Sequence, residues 1–158
     1  MTVIARFEHV SDTQYAASAL PGALPAGDIP LPCRATTGSA GYDFICPAEV
    51  TLAPGEAITI PTGIRCEMQP GWVLMLFPRS SLGFKHQVHL ANTVGVIDSD
   101  YFHAANEGHI MVRIVNGPAL LTLAKGERFC QGVFLPHGLA EENEVLSDRT
   151  GGFGSTGK

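Results

Sequence analysis

Apolar and β-branched residues recur along the chain in short runs, separated by Gly- and Pro-rich breaks, and almost nowhere at helical intervals. Such runs read as strands, because side chains that alternate faces suit a pleated sheet and a 3.6-residue period is missing. The expected strands are EVTL (49–52), AITI (57–60), GIRCEM (63–68), WVLMLF (72–77), VHLAN (88–92), HIMVRIVN (109–116), ALLTLA (119–124) and FCQGVFL (129–135). APGE, QPGW, NGPA and AKGE supply turns between them. Many short strands between tight turns predict an all-β fold, a sandwich or barrel of jelly-roll type.

The remaining segments have a different texture. Residues 11–32 are polar and Pro-rich with one short Ala-rich piece, and are expected as a surface excursion. Residues 137–148 are acidic and poor in apolar groups, which suits a tether. Residues 149–158, RTGGFGSTGK, are Gly-rich and expected to be flexible, since ordering each glycine costs extra backbone entropy. The expected organisation is one β domain over 1–148 and a C-terminal arm over 149–158.

A chain of 158 residues buries roughly 70% of its unfolded surface and needs no disulfide scaffold. Its four cysteines form no CxxC pair, so free thiols in a reducing cytoplasm are expected. MTVIARFEHV has no basic-then-apolar signal pattern and no run approaches a membrane span, so no membrane association is expected. A formal net charge of −5 argues against a polynucleotide partner. It leaves room for a small anion, which a few arginines, backbone amides and a cation can hold.

Five segments carry candidate chemistry. FPRSSLGFKH (77–86) places Arg79, Ser80 and Ser81 between a strand and a short helix, with Ser80 as the expected N-cap. The segment serves a phosphate or is an ordinary cap. NTVGVIDSDY (92–101) sets Gly95 inside an apolar pattern and then delivers Asp98, Asp100 and Tyr101. A carboxylate there orients a water and the ring packs on a sugar or base, or the three form a common turn. TGSAGYDF (37–44) puts Asp43 after a tight glycine turn, either as a turn-stabilising carboxylate or as an acidic group facing a metal-bound phosphate. GERFCQGVF (126–134) embeds Arg128 and Gln131 among apolar residues. Strict alternation puts them on opposite faces, so they share a ligand only if a bulge intervenes. The histidines are spaced poorly for chelation, His86 and His89 falling on opposite faces of a strand. In the arm, Arg149 suits a phosphate, Ser155 and Thr156 with the glycine amides can wrap it, and Phe153 can lie over a base.

Taken in order, AGYDF, PRSSLG, NTVGVIDSDY, GERFCQGVF and RTGGFGSTG resemble the five motifs of the homotrimeric dUTPases, over roughly residues 30–158. The resemblance implies a distorted, jelly-roll-like barrel, a homotrimer with sites between subunits, and Mg²⁺-assisted hydrolysis of dUTP to dUMP and pyrophosphate. That reaction limits uracil incorporation into DNA and supplies dUMP for thymidylate synthesis. By the same resemblance Asp98 orients the water that attacks the α-phosphorus, and Asp43 contacts hydrated Mg²⁺ through water. Arg79, Ser80, Ser81 and Gln131 serve the phosphates. Asn92, Gly95 and Val96 form the hairpin that reads uracil, and Tyr101 packs beneath deoxyribose. Arg149, Phe153, Gly154, Ser155 and Thr156 belong to the arm, with Phe153 over the base.

Two departures stand out. FHAANEGHI follows Tyr101 where the short family form reaches its glycine within about two residues, an insertion similar to those of Gram-positive and phage relatives, and a place for a protein partner. The arm carries Thr150 where many relatives have Gly. The alternatives are a dCTP deaminase-like enzyme, whose catalytic Glu finds no counterpart in HIMVRIVN, and a trimeric nucleotide-binding regulatory protein.

Overall fold

A computed structural model of the chain describes residues 2–141. In order these form β1 (Ala5–His9), α1 (Asp12–Ala16), a 3-10 turn (Ala26–Asp28), β2 (Cys33–Arg34), β3 (Tyr42–Ile45), β4 (Val50–Leu52), β5 (Ala57–Pro61), β6 (Ile64–Met68) and β7 (Trp72–Pro78). There follow α2 (Ser80–His86), β8 (His89–Leu90), β9 (Gly95–Asp98), a second 3-10 turn (Ser99–His103), β10 (Met111–Val115), β11 (Leu121–Leu123) and β12 (Arg128–Pro136). All eight expected strands are present with shifted ends, and the fold is the expected all-β one.

The strands make four antiparallel sheets: β1-β6, β5-β10-β8, β11-β4 and the five-stranded β2-β3-β12-β7-β9. One core joins them. Phe44, Leu52, Ile60, Ile64, Leu74, Ile97, Ile114, Leu123 and Phe129 are each at most 2% exposed, so every sheet sends a face inward. Alternation is clean in β6, where Ile64, Cys66 and Met68 are buried while Arg65 and Glu67 face out. It is equally clean in β4 and β11, whose outward Thr51 and Thr122 meet hydroxyl to hydroxyl at 3.0 Å.

Strands β1, β2 and β3 are not among the expected ones, while β9 falls in the apolar strand pattern around Gly95. In β1 the charged residues obscure the pattern, yet they are what pairs it with β6: Arg6 meets Glu67 at 2.6 Å and Arg65 meets Glu8 at 2.9 Å across the ladder. Phe7 points the other way and stacks against Tyr42, Phe44 and Phe134.

Residues 11–32 depart from a plain surface excursion. Ser11 caps α1 by accepting from the Gln14 amide, and Tyr15, Ala26 and Ile29 are buried in the core. The polar composition hid three anchors spaced too irregularly to show a period. Residues 137–141 are exposed; the rest of the expected tether and the whole arm lie outside the described residues.

The cysteines are free, with Cys33 exposed and the other three buried. Burial pushes the Cys46 thiol up to about 11 and the Cys66 thiol up to about 12, and raises that of Cys130 as well. Among the described residues no helix is long and apolar enough to cross a membrane.

Candidate active site

The residues expected to serve phosphates gather at one end of the five-stranded sheet. Asp43 of β3 stands opposite Gln131 of β12, which in turn stands opposite Phe77 of β7. Arg79 follows the end of β7 directly. Its Nε lies 3.3 Å from one Asp43 oxygen, and the Arg128 Nη1 lies 3.0 Å from the other. The Asp43 side chain is only 9% exposed, so the carboxylate is held between two guanidinium groups in a partly desolvated place. Both arginines are thereby aimed, at little further entropy cost.

Arg128 reaches this face because β12 is bulged. Arg128 stands opposite Ile45 and Cys130 opposite Phe44, so Phe129 is an extra residue, and Phe129 and Cys130 are both fully buried. Strict alternation therefore fails here. The extra residue returns Arg128 to the face of Gln131 and Asp43. Gln131 bridges toward the helix segment, its Nε2 lying 3.5 Å from the Pro78 carbonyl oxygen. Gly41 faces it so closely that a Cβ there would run into the Gln131 Oε1.

Ser80 and Ser81 open α2 on its exposed side, while Leu82 anchors the helix in the core. The N-cap is Arg79, not Ser80: Arg79 has the extended backbone of a cap, and no side chain caps the helix. Ser80 is already helical, so its hydroxyl is not committed to capping. At the other end Gln87 adopts a left-handed conformation, φ 57°, and its amide closes onto the Gly83 and Leu82 carbonyls.

The residues expected to serve the nucleoside lie elsewhere. A cavity of about 480 Å³ opens beside the 91–94 hairpin, lined by Leu76, Leu90, Asn92, Gly95, Asn106 and Val112 among others. Gly95 is expected to mark a turn or a close approach of backbone to ligand; within the chain its close neighbour is β7, where a Cβ at Gly95 would meet the Leu76 side chain at 3.0 Å. Val96 is 47% exposed, opposite Met75. Asp98 ends β9 opposite Val73 and begins the second 3-10 turn.

Tyr101 is 2% exposed, and its hydroxyl donates to the His109 carbonyl oxygen at 2.8 Å. Residues 102–108 fold back over it. Phe102 lies 3.9 Å beneath the Arg65 guanidinium, and the Glu107 carboxylate accepts from the Ser11 amide at 2.8 Å and its hydroxyl at 2.6 Å. Those two bonds hold the Glu107 carboxyl below its usual range. The insertion is thus pinned to β6 and to the N-cap of α1. His109 is buried, and its Nε2 accepts from the Gly63 amide at 2.9 Å. Desolvation pushes its imidazole down to about 4, which keeps it neutral and structural.

Two residues escaped the sequence reading as site members. Arg128 was visible, but only the bulge gives it a shared target. Asn106 sits in an insertion whose sequence has no periodic signal. Asp98 and Arg79 are not brought together within one chain. Asp98 pairs with Val73 near the start of β7 while Arg79 follows its end, so six residue steps, about 20 Å along a strand, separate them.

Comparison with known proteins identifies the family. A family model described as dUTPase matches residues 27–157. The deoxyuridine 5'-triphosphate nucleotidohydrolase of Lactococcus lactis is 47% identical over 133 residues, covering 82% of this chain and 89% of its own. That of Hahella chejuensis is 46% identical over 139 residues, covering 82% and 88%. The crystal structure of the dUTPase from Streptococcus mutans superposes with a TM-score of 0.68 at 36% identity, over 85% of this chain and 98% of the other. The chain belongs to the dUTPase family.

Proposed function

We propose that this protein hydrolyses dUTP to dUMP and pyrophosphate, with Asp98 orienting the water that attacks the α-phosphorus. Family membership across residues 27–157 is the observation that carries the reaction. Geometry supports the parts assigned to each residue. Attack on a polyphosphate asks little covalent help of a protein, but it needs an aimed water, charge neutralisation and exclusion of solvent.

Arg79, Ser80, Ser81 and Gln131 contact the phosphates, and Arg128 joins them from the bulge. Among the described residues no three His, Cys, Asp or Glu side chains are placed to cage a metal ion. Asp43 spends one lone pair of each oxygen on an arginine and keeps others for water. These residues fit a hydrated Mg²⁺ carried on the triphosphate and touched by Asp43 through water. When bound, such an ion neutralises phosphate charge that the two arginines alone do not match.

Uracil enters the cavity beside the hairpin, where Asn92 and the backbone of Gly95 and Val96 read its edge. The packing of Gly95 on Leu76 leaves the hairpin little freedom to yield to a thymine methyl. Tyr101 limits the room beneath the sugar. The distance between Asp98 and Arg79 within one chain supports a site shared between copies, as in a homotrimer. The arm closes it with Arg149, Phe153, Gly154, Ser155 and Thr156, all outside the described residues. In a cytoplasm the reaction lowers dUTP available to polymerases and yields dUMP for thymidylate synthesis.

The test is to mix the protein with each deoxynucleoside triphosphate and Mg²⁺ and follow pyrophosphate. Release from dUTP alone is expected. Ammonia from dCTP would mark a deaminase, and nucleotide binding without release a regulatory protein.

A further inference from the structure

We infer that Asn106, within the insertion after Tyr101, is a positioning residue that sets the discrimination between deoxyribose and ribose. The inference rests on the proposed nucleotide site and adds a residue to it. Tyr101 and His109 bracket the insertion and are tied by the bond from the Tyr101 hydroxyl to the His109 carbonyl oxygen, 2.8 Å. Asn106 Nδ2 donates to that same hydroxyl oxygen at 2.8 Å, while Asn106 Oδ1 accepts from the Gly108 amide at 3.2 Å. Both ends of the carboxamide are therefore in use, and its orientation follows from them.

The backbone around it is equally constrained. Glu107 and Gly108 have φ of 59° and 71°, and a Cβ at Gly108 would meet the Tyr101 carbonyl oxygen and the Phe102 Cα at 2.7 Å. The turn thus packs directly on the tyrosine it serves. Glu107 on Ser11 and Phe102 under Arg65 fasten it from outside. Asn106 also lines the cavity that holds Asn92 and Gly95. The insertion therefore contributes one side chain that touches both the cavity and the tyrosine hydroxyl. Through that bond it fixes the ring that the proposed function places beneath the sugar, and so sets whether a 2′-hydroxyl fits.

Asn106→Asp isolates the bond. An aspartate keeps the acceptor for Gly108 but forces the single phenolic proton to choose between it and the His109 carbonyl. The kcat and KM of the full-length protein for dUTP and UTP are measured for wild type, Asn106→Asp, Tyr101→Phe and the double variant. Asn106→Asp should raise KM for dUTP with kcat changed less than about two-fold, and lower the dUTP-over-UTP ratio of kcat/KM about ten-fold. In the Tyr101→Phe background the same change should move that ratio less than about two-fold. An unchanged ratio, or a full effect without the hydroxyl, overturns the inference. Should Asn106→Asp fail to fold, Tyr101→Phe decides alone, since it spares the Asn106–Gly108 bond: a folded variant with wild-type discrimination overturns it. Wild-type protein that leaves dUTP intact refutes the proposed function itself; wild-type turnover with indifferent variants refutes only this inference.

Discussion

Asp98 and Arg79 flank opposite ends of β7, Asp98 of β9 paired with Val73 and Arg79 one residue beyond Pro78. Under the proposed function, two groups this far apart act on one triphosphate only if the site takes Asp98 from one copy and Arg79 from another. Mixing Asp98→Asn with Arg79→Ala by co-refolding in equal amounts should therefore restore about a quarter of wild-type activity, because random assembly pairs the two intact residues in about one site in four. Steady-state rates of the mixture against each variant alone decide it. No restoration means that both residues serve the same chain's site.

Asp98→Asn keeps the shape of the side chain and removes its basicity. Binding of dUTP, followed by calorimetry, should be within a few-fold of wild type, while kcat falls by about 10²–10⁴, the range of a lost general base. Wild-type turnover in the variant refutes the assignment.

Gly41→Ala places a methyl against the tip of Gln131, a flexible side chain that can swing away without disturbing the backbone. Stability should hardly change, by less than about 1 kcal/mol, while KM for dUTP rises several-fold as Gln131 leaves the phosphate side. Thermal unfolding and kinetics together read both effects. Unaltered KM in a stable variant would show that Gln131 does not contact substrate.

His109 titrates at about 4 in the folded chain against an ordinary value of 6.5, because burial disfavours its charged form. Between those values the unfolded chain takes up a proton that the folded chain refuses, so stability is present above about 6.5 and is withdrawn as pH falls toward 4. The withdrawal is on the order of 2–3 kcal/mol. His109→Gln, which can still accept from the Gly63 amide, should lack this component. Urea unfolding at fixed protein concentration should thus show the gap between wild type and variant narrowing from pH 7 to pH 4. A constant gap would mean that His109 does not titrate in this way.

Removing residues 149–158 takes away Arg149, Phe153, Ser155 and Thr156 but none of the described core, which ends with β12 at Pro136. The melting temperature should be unchanged, and kcat/KM for dUTP should fall by at least about 100-fold through lost closure. Full activity would relieve the arm of any role.

Much of the molecule was legible in the chain itself. Alternation and turn residues placed eight strands, since the pleat imposes its two-residue period wherever one face is buried, and the five motifs in order identified the family. What sequence could not disclose depends on partners far along the chain. The first strand, ARFEH, reads as polar because its charges are matched by Arg65 and Glu67, some sixty residues away. The bulge at Phe129, visible only in the register of β12 against β3, decides that Arg128 and Gln131 share a face with Asp43. Tertiary structure likewise decided that Asn106 holds the Tyr101 hydroxyl and that Asp98 and Arg79 stand a strand's length apart. Local periodicity reports which face a residue takes; distances between faces are set by strand pairing and packing, which no short window contains.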